Sequence, residues 1–221
     1  MALYQDLSRF GIANRSYSVA EWQELERRTG EKFEYHNGRL VHWRAMAGGA
    51  PAHALLASNA SGVLYKAFTE DEARYAECHT YNSDLQLKIP EGRRYVYPDA
   101  AVVCGSPKYD ETVATAILNP LVVVEVLSPS SFEYDAGKKF SYYAKLDSLR
   151  DYVLVTQDAR QVEVRSRVDS GSLWEIVFYG ASDVRARLPS LDLALPLDGL
   201  YRGVETPFDE EPGEEGATVP A

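Results

Sequence analysis

Leu121-Val-Val-Val-Glu-Val-Leu127 decides how this chain is read. Six of its seven residues are apolar, four of them are valine, and the run is too short for a buried helix. Such a stretch reads as a central strand covered on both faces. Glu125 sits in the middle of it. An unpaired carboxylate in that setting costs several kcal/mol, so a cation or a shifted pKa must compensate. A second acid, Asp99, stands in Tyr95-Val-Tyr-Pro-Asp-Ala-Ala-Val-Val103, where Pro98 suits the start or edge of a strand. If the two strands pair, Asp99 and Glu125 point at one place. Two acids sharing a partly buried place repel unless a metal lies between them. Hard oxygen ligands without Cys or His favour Mg2+ or Mn2+. Read alone, a single Glu in an apolar strand also suits pairing with Arg or Lys, or an edge position.

Moving outward from that strand, the pattern is mixed. Ser18 and Glu21 form a capping box that opens a helix closed by Gly30. Phe33–His36 and Arg39–Arg44 flank Asn37-Gly38, a strong hairpin signal. Pro51 opens an amphipathic helix over 51–69. Residues 84–89 alternate as a half-buried strand and 97–104 continue as another, with a loop expected at 105–119. After Leu127, residues 135–146 read as a helix, 151–156 as a buried strand, and 161–168 with 173–179 as a β-meander. The expected fold class is α/β, in the α+β sense: a central mixed β-sheet flanked by helices, with an N-terminal hairpin and a C-terminal β-meander. The expected organisation is one domain over 1–204, with hairpin region 18–44, core 51–156 and β extension 161–195, followed by an acidic, disordered tail over 205–221.

Composition narrows the function. The chain has 221 residues, 45% hydrophobic and 25% charged, with a net charge of −10. Six of the excess acids, Glu205, Asp209, Glu210, Glu211, Glu214 and Glu215, lie in the tail, so the body carries −10 + 6 = −4. A net acidic body argues against broad phosphate binding, which runs on Lys and Arg, though not against a local basic groove. No apolar run is long enough to span a membrane and no secretory signal opens the chain, so a cytoplasmic location is expected. Cys78 and Cys104 are then expected to be reduced. The histidines show no zinc spacing.

The motifs together resemble a known family. Pro98-Asp99, the Val124-Glu-Val-Leu-Ser-Pro-Ser130 string, Tyr134-Asp135-x-Gly137-x-Lys139-Phe140 and Tyr143-Ala144 look like the Uma-two family of restriction endonucleases, within the PD-(D/E)xK nuclease superfamily. Phe33-Glu34-Tyr35, Ala52-His53 and Arg150–Val155 add to the likeness, which covers about 18–168 in order. The resemblance implies a restriction-endonuclease-like core and a Mg2+-dependent, restriction-type endodeoxyribonuclease acting on DNA. It implies Asp99 and Glu125 as acidic metal ligands, the Val126 carbonyl as a third and Glu34 as an auxiliary carboxylate. The lysine usual two residues after the Glu is replaced by Leu127, and Lys139 on the following helix is the implied substitute, with Lys138 beside it.

Other residues stay open. His53 suits phosphate contact, carboxylate orientation or a structural role. Ser128 would orient water or Glu125, or simply end the strand before Pro129. Asp135 reads as a helix N-cap, Gly48-Gly49 as a linker, and Tyr95, Tyr97, Tyr142 and Tyr143 as packing residues that are also able to stack on bases. Rival readings are a catalytically degenerate module for binding or dimerisation, and an RNA-directed phosphodiesterase. Meander edges pairing across a two-fold axis point to a homodimer.

Overall fold

A computed structural model describes residues 12–43, 51–128, 134–168 and 172–205. Helix α1 (Val19–Thr29) starts where Ser18 accepts from the Glu21 amide, and the Glu21 side chain answers to the Ser18 amide. Left-handed Gly30 ends it, donating to the Glu26 carbonyl. The hairpin β1 (Phe33–His36) and β2 (Arg39–His42) turns on Asn37 and Gly38, both at positive φ (50° and 90°). That is the geometry an Asn-Gly hairpin turn needs. Helix α2 (Pro51–Glu70) buries His53, Leu56, Ala60, Leu64 and Phe68 along one stripe, and the single turn α3 (Glu72–Tyr75) follows it.

The strands divide into two larger sheets rather than one. β3 (Cys78–Asn82), β6 (Ala100–Cys104), β8 (Val122–Leu127), β9 (Asp151–Thr156), β10 (Val162–Arg167) and β11 (Trp174–Tyr179) form a six-stranded sheet in the order β11-β10-β9-β8-β6-β3. It is mixed: β8 and β9 run parallel, and the other pairs are antiparallel. The hairpin expected to extend this sheet instead joins β4 (Gln86–Ile89), β5 (Arg94–Val96) and β7 (Ala116–Ile117) in a five-stranded one. Part of the expected 105–119 loop is therefore strand β7. β12 (Arg185–Leu188) and β13 (Leu193–Pro196) make a separate pair, followed by the turn α4 (Leu197–Leu200).

β8 is fully buried, as its β-branched run predicts. Val122, Val124 and Val126 pack on one face with Leu56, Ala60 and Leu64 of α2. Val123 and Leu127 pack on the other with Tyr143, Leu146 and Tyr152. Strand alternation puts Glu125 on that second face. The parallel β8–β9 pair needs a crossover. That connection carries a π-helical turn, Tyr134–Lys139, running into one α-helical turn, Phe140–Tyr143. The expected helix over 135–146 is thus shorter and wider-wound.

Cys78 and Cys104, expected to be reduced, face each other across β3 and β6 and are joined as a disulfide, with Cα atoms 4.0 Å apart. No described helix is long and apolar enough to cross a membrane. Gly48-Gly49, Arg44 and all of the acidic tail except Glu205 lie outside the described residues.

The turn gives a direct check. A Cβ at Gly38 would collide with the Ser16 hydroxyl and would also be forced to positive φ. Gly38→Ala is expected to cost about 1–3 kcal/mol by chemical denaturation, the range for a residue held in a strained backbone region. An unchanged denaturation midpoint would contradict the turn geometry.

Candidate active site

The register of the central strands sets the site. Ala100 lies opposite Val124 and Ala101 opposite Val123. Continuing that antiparallel register by one residue sets Asp99, the residue before β6, across from Glu125, where the β6–β8 pairing stops. Asp99 is pinned there because the Val126 amide donates to its Oδ2 at 2.7 Å. From α2, His53 Nε2 approaches the same oxygen at 3.5 Å. Both side chains are buried.

Glu125 is held from the other direction. Lys139 Nζ lies 2.8 Å from Glu125 Oε1, and the Tyr143 hydroxyl donates to that oxygen at 2.9 Å. The same ammonium stands 3.4 Å from Glu34 Oε1 and 3.8 Å from Asp135 Oδ1. Of the two adjacent lysines, Lys139 is buried and Lys138 is exposed, so Lys139 is the one that faces the acids. Glu34 arrives on β1 from the other sheet. Its Oε2 meets His36 Nε2 at 2.9 Å, and its Oε1 also accepts from the Tyr97 amide at 3.4 Å.

The sequence profile of the family Uma2, described as "Putative restriction endonuclease", matches residues 19–198. The chain belongs to the Uma2 family. Two proteins of Synechocystis are similar to it. Uncharacterized protein slr1290 is 35% identical over 187 residues, covering 85% of this chain and 92% of that protein. Uncharacterized protein sll1609 is 30% identical over 151 residues, covering 68% and 81%. Among solved structures, "a putative nuclease belonging to DUF820" from Anabaena variabilis superposes with a TM-score of 0.63 at 18% identity. It covers 84% of this chain and 97% of that one. That likeness shows the shared fold.

In this Uma2 chain the charge balance is unusual. Burial pushes the Glu125 carboxyl well above the ordinary range; Asp99 and Asp135 push the same way, and Lys139 opposes them. Burial works against the Lys139 charge, yet Glu125, Glu34 and Asp135 together hold it well above its ordinary value. Glu34 is buried too, but Lys139 and His36 keep it below the usual carboxylate range. Three acids thus share one ammonium in a dry place, and Lys139 is the group that opposes the burial of both Glu125 and Glu34. His53 is likewise drawn upward by Asp99, against its burial.

Several participants were not legible as such. Asp135 lies inside the π-helical turn and is buried against the cluster, not at a cap. Tyr143 binds Glu125 rather than merely packing. His36 had no role in the sequence reading. Asp135, Lys139 and Tyr143 recur at intervals of four, which is the one signal that could have grouped them. Ser128 is buried at the end of β8.

The donor chemistry fits a hard cation. Among the described residues no three His, Cys, Asp or Glu side chains gather as a metal cage. The contacts given for the two acids fall on Asp99 Oδ2, from the Val126 amide and His53, and on Glu125 Oε1, from Lys139 and Tyr143. Two carboxylate oxygens plus a backbone carbonyl, with water completing the shell, is a common way to hold Mg2+.

Two measurements check this cluster. Lys139→Met leaves buried acids without their cation and is expected to lose about 3–5 kcal/mol. The Lys139→Met/Glu125→Gln double variant is expected to recover part of that loss; failure to recover would separate the two residues. Glu125 has its folded pKa raised, so its favourable contribution is complete below the ordinary 4.5 and falls as pH rises toward the folded value. Stability of wild type relative to Glu125→Gln is therefore expected to decline as pH rises above 4.5. Urea titrations from pH 4 upward read this, and a difference that is flat with pH would contradict it.

Proposed function

We propose that this chain is a Mg2+- or Mn2+-dependent endonuclease that hydrolyses phosphodiester bonds in DNA. The single observation that supports it is Asp99 standing across the strand pair from Glu125, with Lys139 2.8 Å from Glu125. Asp99, Glu125 and the Val126 carbonyl would hold the ion. Bound there, such an ion lowers the pKa of water and offsets charge on the phosphate.

The chain's own groups prepare that chemistry. The Val126 amide fixes the Asp99 carboxylate through one oxygen, Oδ2. Tyr143 and Lys139 fix Glu125 in the same way through one oxygen. Lys139 brings a permanent positive charge beside the acids, suited to a phosphate oxygen as charge builds. Glu34 and Asp135 keep that ammonium protonated and in place, and are positioning residues in this reading. His53 orients Asp99 from the helix side.

Plasmid DNA with Mg2+ or Mn2+ is the test. Cleavage is expected in wild type and a loss of at least about a hundredfold in Asp99→Asn and Glu125→Gln, the scale of removing charge stabilisation from a reaction centre. Calorimetric Mn2+ binding that survives Asp99→Ala and Glu125→Ala would overturn the assignment. No cleavage by wild type favours the degenerate binding module, which the Lys139 ion pairs with Glu125 and Glu34 also suit. Preferential cutting of RNA redirects the substrate.

The same reading includes a homodimer. Among the described residues β11 ends the six-stranded sheet, Ile176 and Phe178 are exposed on it, and Leu173 is exposed just before it. An apolar open edge of this kind favours pairing with a second copy. Sedimentation at micromolar concentration is expected to give the two-chain mass, and Phe178→Lys the one-chain mass. Wild type sedimenting as one chain would refute it.

A further inference from the structure

The opposite edge of the same sheet carries a feature that the hydrolytic cluster does not use. A groove of about 440 Å3 runs between α2 and β3, lined by Ser61, Gly62, Tyr65, Thr80, Tyr81 and Asn82. None of these side chains is charged. Tyr65 is 65% exposed and forms the α2 wall with Ser61 and Gly62. Among the described residues β3 pairs only with β6, and none of them pairs with its far edge.

The register shows which backbone groups face that edge. The Gly105 amide donates to the Glu77 carbonyl at 2.8 Å, which marks 77 and 105 as a hydrogen-bonded pair. Alternation in an antiparallel ladder then turns the amides and carbonyls of Cys78, Thr80 and Asn82 outward. The Asn82 carbonyl already accepts from Leu85. Thr80 is left presenting an amide donor and a carbonyl acceptor side by side. Among the described residues, Thr80 Oγ1 is buried there with no hydrogen-bond partner. Asn82 Oδ1 is taken by the Asp84 amide, which leaves its nitrogen to donate.

The groove and the acidic site share helix α2 and neighbouring strands. Asn82 lies opposite Ala100, the neighbour of Asp99. On the other wall, Ser61 lies eight residues from His53, about 12 Å along the helix. Adjacent neutral donors and acceptors match the edge of a nucleobase, and an exposed ring offers a stacking face. A phosphate backbone or a duplex would instead call for Lys and Arg, and the wall has none. An extended peptide would need a ladder longer than the three residues of β3 that line the groove, roughly 10 Å.

The geometry points to the α2–β3 groove as a subsite for an unstacked base of a single-stranded nucleic acid, with Tyr65 stacking on it and Thr80 and Asn82 bonding its edge. This rests on the nuclease reading of the neighbouring acids and names the substrate form they would receive.

The test uses the full chain carrying Glu125→Gln and single-stranded DNA with 2-aminopurine at successive positions. Quenching of the probe at one position is expected. Adding Tyr65→Ala is expected to weaken binding about tenfold and remove the quenching, within the range for loss of one base stack, while Tyr65→Phe keeps both. Equal binding by the parent and Tyr65→Ala, or equal affinity for blunt duplex and single strand, overturns the subsite. So does tight binding of an extended peptide that displaces the oligonucleotide. Hydrolysis of bis(p-nitrophenyl) phosphate by wild type with Mn2+ is measured separately, because this diester has no base. Absence of that hydrolysis removes the nuclease reading, whereas the binding series decides the groove in either case.

Discussion

One buried ammonium holds this site together. Lys139 stands among Glu125, Glu34 and Asp135 with almost no solvent contact. Without it, three acids drawn from three separate segments would have to sit together in a dry place, and burial and mutual repulsion would drive them apart or protonate them. Its presence explains why a glutamate is tolerated in the middle of a valine strand. It also ties the two sheets together, because Glu34 belongs to one and Glu125 to the other.

Asp99 is held by different means. Its anchors are a backbone amide and a histidine on the opposite layer. The two acids facing each other across β6 and β8 are thus fixed from independent directions, one by the sheet and α2, the other by the crossover segment. Each anchor takes one oxygen.

Much of this was legible in the sequence where local rules act. Glu125 stood out because a charge in Leu121–Leu127 conflicts with the apolar run around it, and Asp99 because Pro98 marks a strand start. The capping box at Ser18 and the Asn37-Gly38 turn follow from side-chain geometry alone. Non-local features were hidden. β5 and β7 are three and two residues long, too short to show a period, so the second sheet left no signal. The Cys78–Cys104 pairing depends on the register of β3, whose CHTYN sequence does not alternate, and the expectation about compartment pointed the other way. His36 and Tyr143 joined the cluster only through contacts that folding creates.

The crossover between the parallel strands has a consequence for how the chain reaches this state. The turn bearing Asp135 and Lys139 lies in the connection from β8 to β9, two strands that must find each other without a tight reversal. Closing such a long connection is entropically slow compared with zipping a hairpin. Glu125 therefore meets its counter-ion only when this late step completes. A nascent or partly unravelled chain would keep its acids apart, so this cluster exists only in the native topology.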